Sequence, residues 1–210
     1  MILNPPIYDT NRKVIETFSY NGEEHLLRLH LEVNSRFTDF FVITEGVYST
    51  TCFRKPLKFN ASKFPQFIDR IIYIPLFNMP YHDVEATSTT KQANEHYVRD
   101  ASFNLLEVMA RPSDTIIVSD TDEMLSFERF KEFDPLRHEY ASTEMQMHVY
   151  YFNRRSAYTH PPFRSKQNIL YNLTKIATFK TLTDKFGVKR SLLRQKNDCK
   201  VDAISKETEG

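Results

Sequence analysis

Thr115-Ile116-Ile117-Val118-Ser119-Asp120-Thr121-Asp122-Glu123 is a short apolar, β-branched run that ends in three carboxylates within four residues. It is too short for a free helix and reads as a buried strand. A buried parallel strand that finishes in acids puts them at the C-terminal edge of a sheet, where open α/β sheets bind ligands. Acids so close together repel one another unless partnered, and a hard divalent cation taking oxygen ligands would neutralise them.

Upstream, the same kind of segment recurs. Val14 to Tyr20 (VIETFSY) predicts a first strand, stopped by the turn dipeptide Asn21-Gly22. Glu23 to Asn34 carries Leu27 and Leu31 at i, i+4 and predicts a helix docked by its leucines. Phe40 to Glu45 (FFVITE) and Arg70 to Leu76 (RIIYIPL) predict covered strands, with about two helical turns between them at Ser62 to Asp69. Phe77 to Gln92 predicts a long loop of the kind that covers active sites. Ala93 to Ala110 predicts a helix with Tyr97, Ala101, Leu105 and Val108 on its stripe, ended by Arg111-Pro112.

Downstream, Phe127 to Phe133 predicts a short helix and Glu144 to Phe152 (EMQMHVYYF) an alternating strand. Past Asn153 the periodicity fades, with helix expected around Gly187. The alternation of strands and helices specifies an α/β fold with a mostly parallel central sheet flanked by helices. At 210 residues the chain fits one domain, read as residues 1–196, followed by a polar tail over 197–210.

With 28 basic and 27 acidic residues the chain has no global field to attract nucleic acid. The cluster Lys189, Arg190, Arg194 and Lys196 reads as a solvated helix face. Cys52 and Cys199 are too few for a disulfide framework or a structural zinc site. Met1 to Tyr8 lacks the pattern of a signal peptide and no stretch reaches transmembrane length, so the expected location is cytoplasmic. The sequons at Asn60 and Asn172 then read as chance matches. The 4 glycines are scattered, so no glycine-rich loop wraps phosphate, and an anionic nucleotide would need a cation and basic side chains instead.

From Val14 to Arg194 the chain resembles glycosyltransferase family 17, the group that includes the bisecting β-1,4-N-acetylglucosaminyltransferases. The resemblance lies in five ordered segments. Phe18 to Glu23 with the leucines that follow is similar to the family's Phe-Asn-Asn-Glu turn and leucine-rich helix. Asp39 to Glu45 is similar to its Asp-Tyr-Phe-Val-Ile-Val-Glu strand, and Arg54 to Phe59 to its Lys-Pro-Leu-Tyr-Phe segment. Asn94 to Asp100 follows its Asn-Glu-x-Phe-Gln-Arg-Asn helix, departing at Val98 and Asp100. Ile116 to Glu123 follows its Ile-Ile-Ser-Asp-x-Asp-Glu strand end. The family's C-terminal Trp-His-Phe-Ser element has no counterpart, since the chain has no Trp.

The resemblance implies a GT-A fold and a metal-dependent transfer of sugar from a nucleotide donor, UDP favoured, to a glycan or glycoprotein hydroxyl. It implies Mn²⁺ or Mg²⁺ on Asp122 directly, with Asp120 acting through water or on the ribose. Arg99 would stabilise the leaving diphosphate or pair with Glu95 on its own helix. Glu45, Thr17 and Ser19 would line the base and ribose pocket, and Glu45 alternatively caps its turn. Glu123 would orient the acceptor or support the metal shell. Arg54 and Lys55 are candidates for phosphate contact. His138, His148 and His160 are open candidates for a third ligand, and Glu139, Glu144 and Asp184 for the general base.

Two other readings compete. A haloacid-dehalogenase-type phosphohydrolase also ends a strand in Asp-x-Asp, but places it near the N-terminus and wants Thr or Val where this chain has Met124. A non-catalytic nucleotide-sugar or glycan-binding module would keep the fold without turnover.

Overall fold

The computed structural model describes residues 11–135, 138, 140–146 and 170–187. Among them run β1 (Val14–Ser19), α1 (Glu24–Asn34), β2 (Phe40–Gly46), β3 (Ile71–Leu76), α2 (Ser88–Asp100), α3 (Phe103–Met109), β4 (Thr115–Val118), α4 (Phe127–Lys131), β5 (Tyr140–Gln146), β6 (Leu170–Thr178) and α5 (Phe179–Phe186). The predicted turns before β3 are two short 3₁₀ segments, Ala61–Lys63 and Pro65–Arg70. The six strands form one sheet in the order β3-β2-β1-β4-β6-β5. β3, β2, β1 and β4 are parallel, β6 runs antiparallel to β4, and β5 pairs antiparallel with β6.

Alternation along the strands builds two layers of core. Ile15, Val42, Ile116 and Val118 face Phe103 and Leu106 of α3 and Leu182 and Phe186 of α5. On the other face Phe18, Phe41 and Ile43 pack with Leu27 and Leu31 of α1 and with Phe64 and Phe67. Burying a leucine or phenylalanine this completely contributes about 1.5–3 kcal/mol, so the two leucines hold α1 to the sheet. The turn into α1 favours Gly22 because its φ of +105 is a backbone conformation that L side chains rarely adopt.

Three expectations are corrected. The loop after β3 ends at Thr87, not Gln92, because Thr87 caps α2: its Oγ1 accepts from Thr90 N, and Thr90 Oγ1 accepts from Thr87 N. The predicted long helix is two, and it buries a different face. Asn94, Val98, Ser102 and Leu106, spaced at i+4, are buried, whereas Tyr97 and Val108 are exposed. The polar members at 94 and 102 concealed that stripe. The strand expected at Glu144 to Phe152 starts earlier, at Tyr140, and residues 147–152 lie outside the described ones. β6 was not foreseen. No described helix is long and apolar enough to cross a membrane.

Candidate functional site

β1 lies between β2 and β4, so the chain leaves its C-terminal end toward one side of the sheet and β4 begins the other. The reversal lies between β1 and β4, and the C-terminal edge at such a point is where open α/β sheets have their ligand crevice. The residues that follow these two strands meet there. Ser119 N donates to Thr17 O at 3.2 Å, and Thr121 Oγ1 donates to Ser19 O at 2.6 Å. The Asp120–Glu123 turn is thereby stitched to the end of β1.

The three carboxylates of this turn point to three different environments. Asp120 receives Arg99 Nη2 on both oxygens, at 3.2 and 2.9 Å. Glu123 folds inward, and its Oε2 accepts from Asp120 N at 3.2 Å and from Thr174 Oγ1 of β6 at 3.1 Å. Asp122 alone stands exposed. The repulsion expected of three adjacent acids is thus relieved within the protein for Asp120 and Glu123, and Asp122 is left as the outward oxygen donor. Among the described residues no three His, Cys, Asp or Glu gather so as to hold a metal ion.

Arg99 makes the pairing with Glu95 that was one of its two readings, and it pairs with Asp120 as well. Its Nη1 pairs with Glu95 one helical turn earlier, and its Nη2 with Asp120 at 2.9 Å. Its Nε is buried with no hydrogen-bond partner. With its two oxygens held by this guanidinium, Asp120 is poorly placed as the nucleophile that a dehalogenase-type hydrolysis needs.

Beneath the turn lies a polar network in the core. Glu16, in the middle of β1, is fully buried and accepts from Asn34 Nδ2 at 2.9 and 3.0 Å, Ser119 Oγ at 2.9 Å and Thr38 Oγ1 at 3.3 Å. His30, also fully buried, places Nε2 at 3.0 Å from Glu16 Oε1 and Nδ1 at 3.0 Å from Thr121 O. A carbonyl only accepts, so Nδ1 carries a proton. Nε2 faces a Glu16 oxygen that also accepts from Asn34 and Ser119, an arrangement that favours a second proton on the ring. Burial pulls its pKa down, but the Glu16 charge and hydrogen bond, with the Thr121 carbonyl, outweigh this and raise it. The 3.3 Å approach of Asn34 Nδ2 to His30 Nε2 brings together two donors that share one carboxylate.

A second buried carboxylate organises the loop after β2. Glu45 Oε1 accepts from Lys55 Nζ at 3.0 Å and Lys58 N at 2.9 Å, and Oε2 from Phe59 N at 3.0 Å and Tyr73 OH at 2.9 Å. Burial, with the Glu45 hydrogen bond and charge, raises the Tyr73 pKa. Burial and the same charge push Tyr20, at the end of β1, up to about 12. Here Glu45 clamps the Arg54–Phe59 loop onto the sheet, which corresponds to the turn-capping alternative rather than to an open ribose contact.

The remaining candidates are dispersed. Ser19 is half-buried at the crevice, but Thr17 is fully buried within the sheet, so a direct contact between Thr17 and a base is not supported. Lys55 is tied to Glu45 and Arg54 is exposed. His138 Nδ1 accepts from Asp134 N at 2.9 Å, closing the turn after α4. Asp184 pairs with Lys180 on the outside of α5. His148, His160 and Glu139, and the side chain of Glu144, lie outside the described residues.

Glu16, His30 and Lys175 are what the sequence reading missed. Lys175 is fully buried on β6, in register with Val118 at the end of β4. A charged residue inside an apolar strand, as in Val-Ile-Glu-Thr-Phe, was the available signal, and His30 and Asn34 at i, i+4 on the buried face of α1 was the matching one. The model of a family described as glycosyltransferase family 17 matches residues 4–182. No curated protein and no solved structure matches the chain.

Proposed function

The chain belongs to glycosyltransferase family 17, and from that premise we propose that it moves a sugar from a nucleotide donor, UDP-linked, to a glycan hydroxyl. The donor diphosphate sits at the β1/β4 crevice, as in a GT-A fold. One observation carries this reading: the Asp120–Glu123 turn is locked at a topological switch point with one carboxylate, Asp122, left facing out.

Asp122 and, more remotely, Asp120 are the residues that would hold Mn²⁺ or Mg²⁺; when bound, the ion offsets charge developing on the leaving diphosphate. Arg99 supplies a fixed positive charge at the same turn, held by Glu95 and Asp120 so that it costs little reorganisation. Ser19 forms the opposite wall at the end of β1. Glu123, buried and bonded to the Asp120 amide, acts on the shape of the turn rather than on the acceptor.

The test is thermal denaturation with UDP, GDP, CDP and ADP, each with and without Mn²⁺. A ligand at about 100 times its Kd stabilises by about 2.7 kcal/mol, and for a domain of this size each kcal/mol is worth about 2–4 °C. A rise of about 5–10 °C with UDP and Mn²⁺ together, exceeding that with either alone, is expected. No shift with any nucleotide removes the assignment.

A further inference from the structure

We propose that His30 is a positioning residue of the donor site, acting through the Thr121 carbonyl to set the direction of the Asp122 carboxylate. The inference rests on the reading of the Asp120–Glu123 turn as the donor-binding turn. Thr121 lies between the two aspartates, so the orientation of its peptide fixes how Asp122 leaves the turn. That residue is held twice, by His30 Nδ1 at its carbonyl, 3.0 Å away, and by its own hydroxyl on Ser19 O.

The ring cannot turn away from this duty. Its other nitrogen is bound to Glu16, and Glu16 is fixed by Asn34, Thr38 and Ser119. Phe18 packs against the imidazole at 4.5 Å between ring centroids and closes the remaining side. A chain of contacts thus runs from α1 through His30 to the turn, with all members buried.

Stability does not account for such an arrangement. Buried ion pairs are commonly no more stabilising than apolar residues of the same volume, and this one leaves Asn34 Oδ1 without a partner. Its neighbours Phe18, Leu27, Leu31 and Phe41 form an apolar layer that could have continued through the site. What an apolar side chain could not do is donate to Thr121 O.

The distinguishing measurement is the gain in UDP affinity on adding Mn²⁺, read by calorimetry well below the melting temperature for the wild type, His30→Leu, His30→Gln and Leu182→Ala. Leu182→Ala removes buried packing of α5 against the sheet in a cluster that contains none of Glu16, His30 and Thr121, so it reports a purely structural loss. We expect it to melt lower yet keep the wild-type Mn²⁺ gain. His30→Leu should lose at least tenfold of that gain, while UDP binding without metal changes less than twofold. His30→Gln, which retains one donor, should recover part of it and gives the readout if His30→Leu does not fold. Wild-type Mn²⁺ gain in either His30 variant, with only a lowered melting temperature, overturns the proposal. A wild-type protein that binds UDP with no Mn²⁺ gain overturns the functional reading first, and this proposal with it.

Discussion

Arg99 and Asp120 are joined by one guanidinium nitrogen shared between both carboxylate oxygens, at 2.9 and 3.2 Å, while Asp122 two residues later is exposed. The two aspartates of the motif are therefore not equivalent. Replacing Asp122 by Asn removes an outward charge, so the metal-free protein should melt within about 1 °C of the wild type, since exposed substitutions of this kind stay within about 0.5 kcal/mol. Its Mn²⁺-dependent stabilisation by UDP should disappear. Asp120→Asn should instead lower the metal-free melting temperature, because a half-buried pair is worth about 1 kcal/mol, and should retain part of the Mn²⁺ effect. Paired melting curves decide it; the reverse pattern would assign the outward ligand to Asp120.

Glu45 offers a contrast between a structural carboxylate and a ligand. Its four donors come from the loop at Lys55, Lys58 and Phe59 and from Tyr73 of β3, all at 3.0 Å or less. Glu45→Gln keeps the volume but presents an amide N–H₂ to donors, and breaking a buried charge pair costs about 3–5 kcal/mol. Denaturant midpoints should show a loss of about 3 kcal/mol, with or without nucleotide present. A variant of wild-type stability with weakened UDP binding would return Glu45 to the ribose site.

The difference between these acids also marks what was legible in the sequence. The strand TIIVSD and its acids were readable because an apolar run and an abrupt change to charge are both local signals. A mostly parallel sheet followed from the alternation of strands and helices, though not its strand order. β6 was not readable, because Leu170–Thr178 mixes Asn, Thr and Lys into a strand whose lysine is buried only by tertiary context. The α2 stripe was misplaced for a related reason: Asn94 is buried because its amide serves a distant loop, and periodicity counts only apolar residues. Glu16 and His30 escaped because each looks solvent-facing until the other is brought beside it by the packing of α1 on β1.

That loop yields a prediction of its own. The sequence predicts a loop over Phe77 to Gln92 of the kind that covers active sites; within its 77–87 part, Asn94 pairs with both Tyr81 N, at 3.0 Å, and Tyr81 O, at 2.8 Å, and Asp83 N donates to Cys52 O at 3.0 Å. Its middle is anchored. Asn94→Ala forfeits the Tyr81 bonds, a net loss of about 1–3 kcal/mol against local opening. Limited proteolysis between 77 and 87 should accelerate roughly tenfold or more, since cutting follows the open population when reclosing is fast. In the wild type, protection by UDP and Mn²⁺ should concentrate at Val84 to Thr87, beyond the anchor. Unchanged cutting in Asn94→Ala would show that the anchor does not control the loop.

The Glu16–His30 pair predicts the direction of a pH effect. The His30 pKa is raised in the folded protein above its ordinary value of about 6.5, so folding takes up a proton in the interval between the two. By linkage, the stability contributed by that proton is fully present below about pH 6.5 and is lost as pH rises through the folded value. The groups facing the ring are the Glu16 carboxylate, the Thr121 carbonyl and, at longer range, the Glu123 charge, all of which favour the protonated form. A double variant Glu16→Gln, His30→Gln removes both charges and with them this slope, while every other titrating group is left in place. Urea midpoints of the two proteins between pH 5 and 9 should therefore diverge in one direction only: the wild type loses stability relative to the double variant above about pH 6.5. A difference that stays constant across that range would mean that the ring is neutral in the folded protein, with Glu16 holding the proton instead, and the charge assignment made from its hydrogen-bond partners would fail.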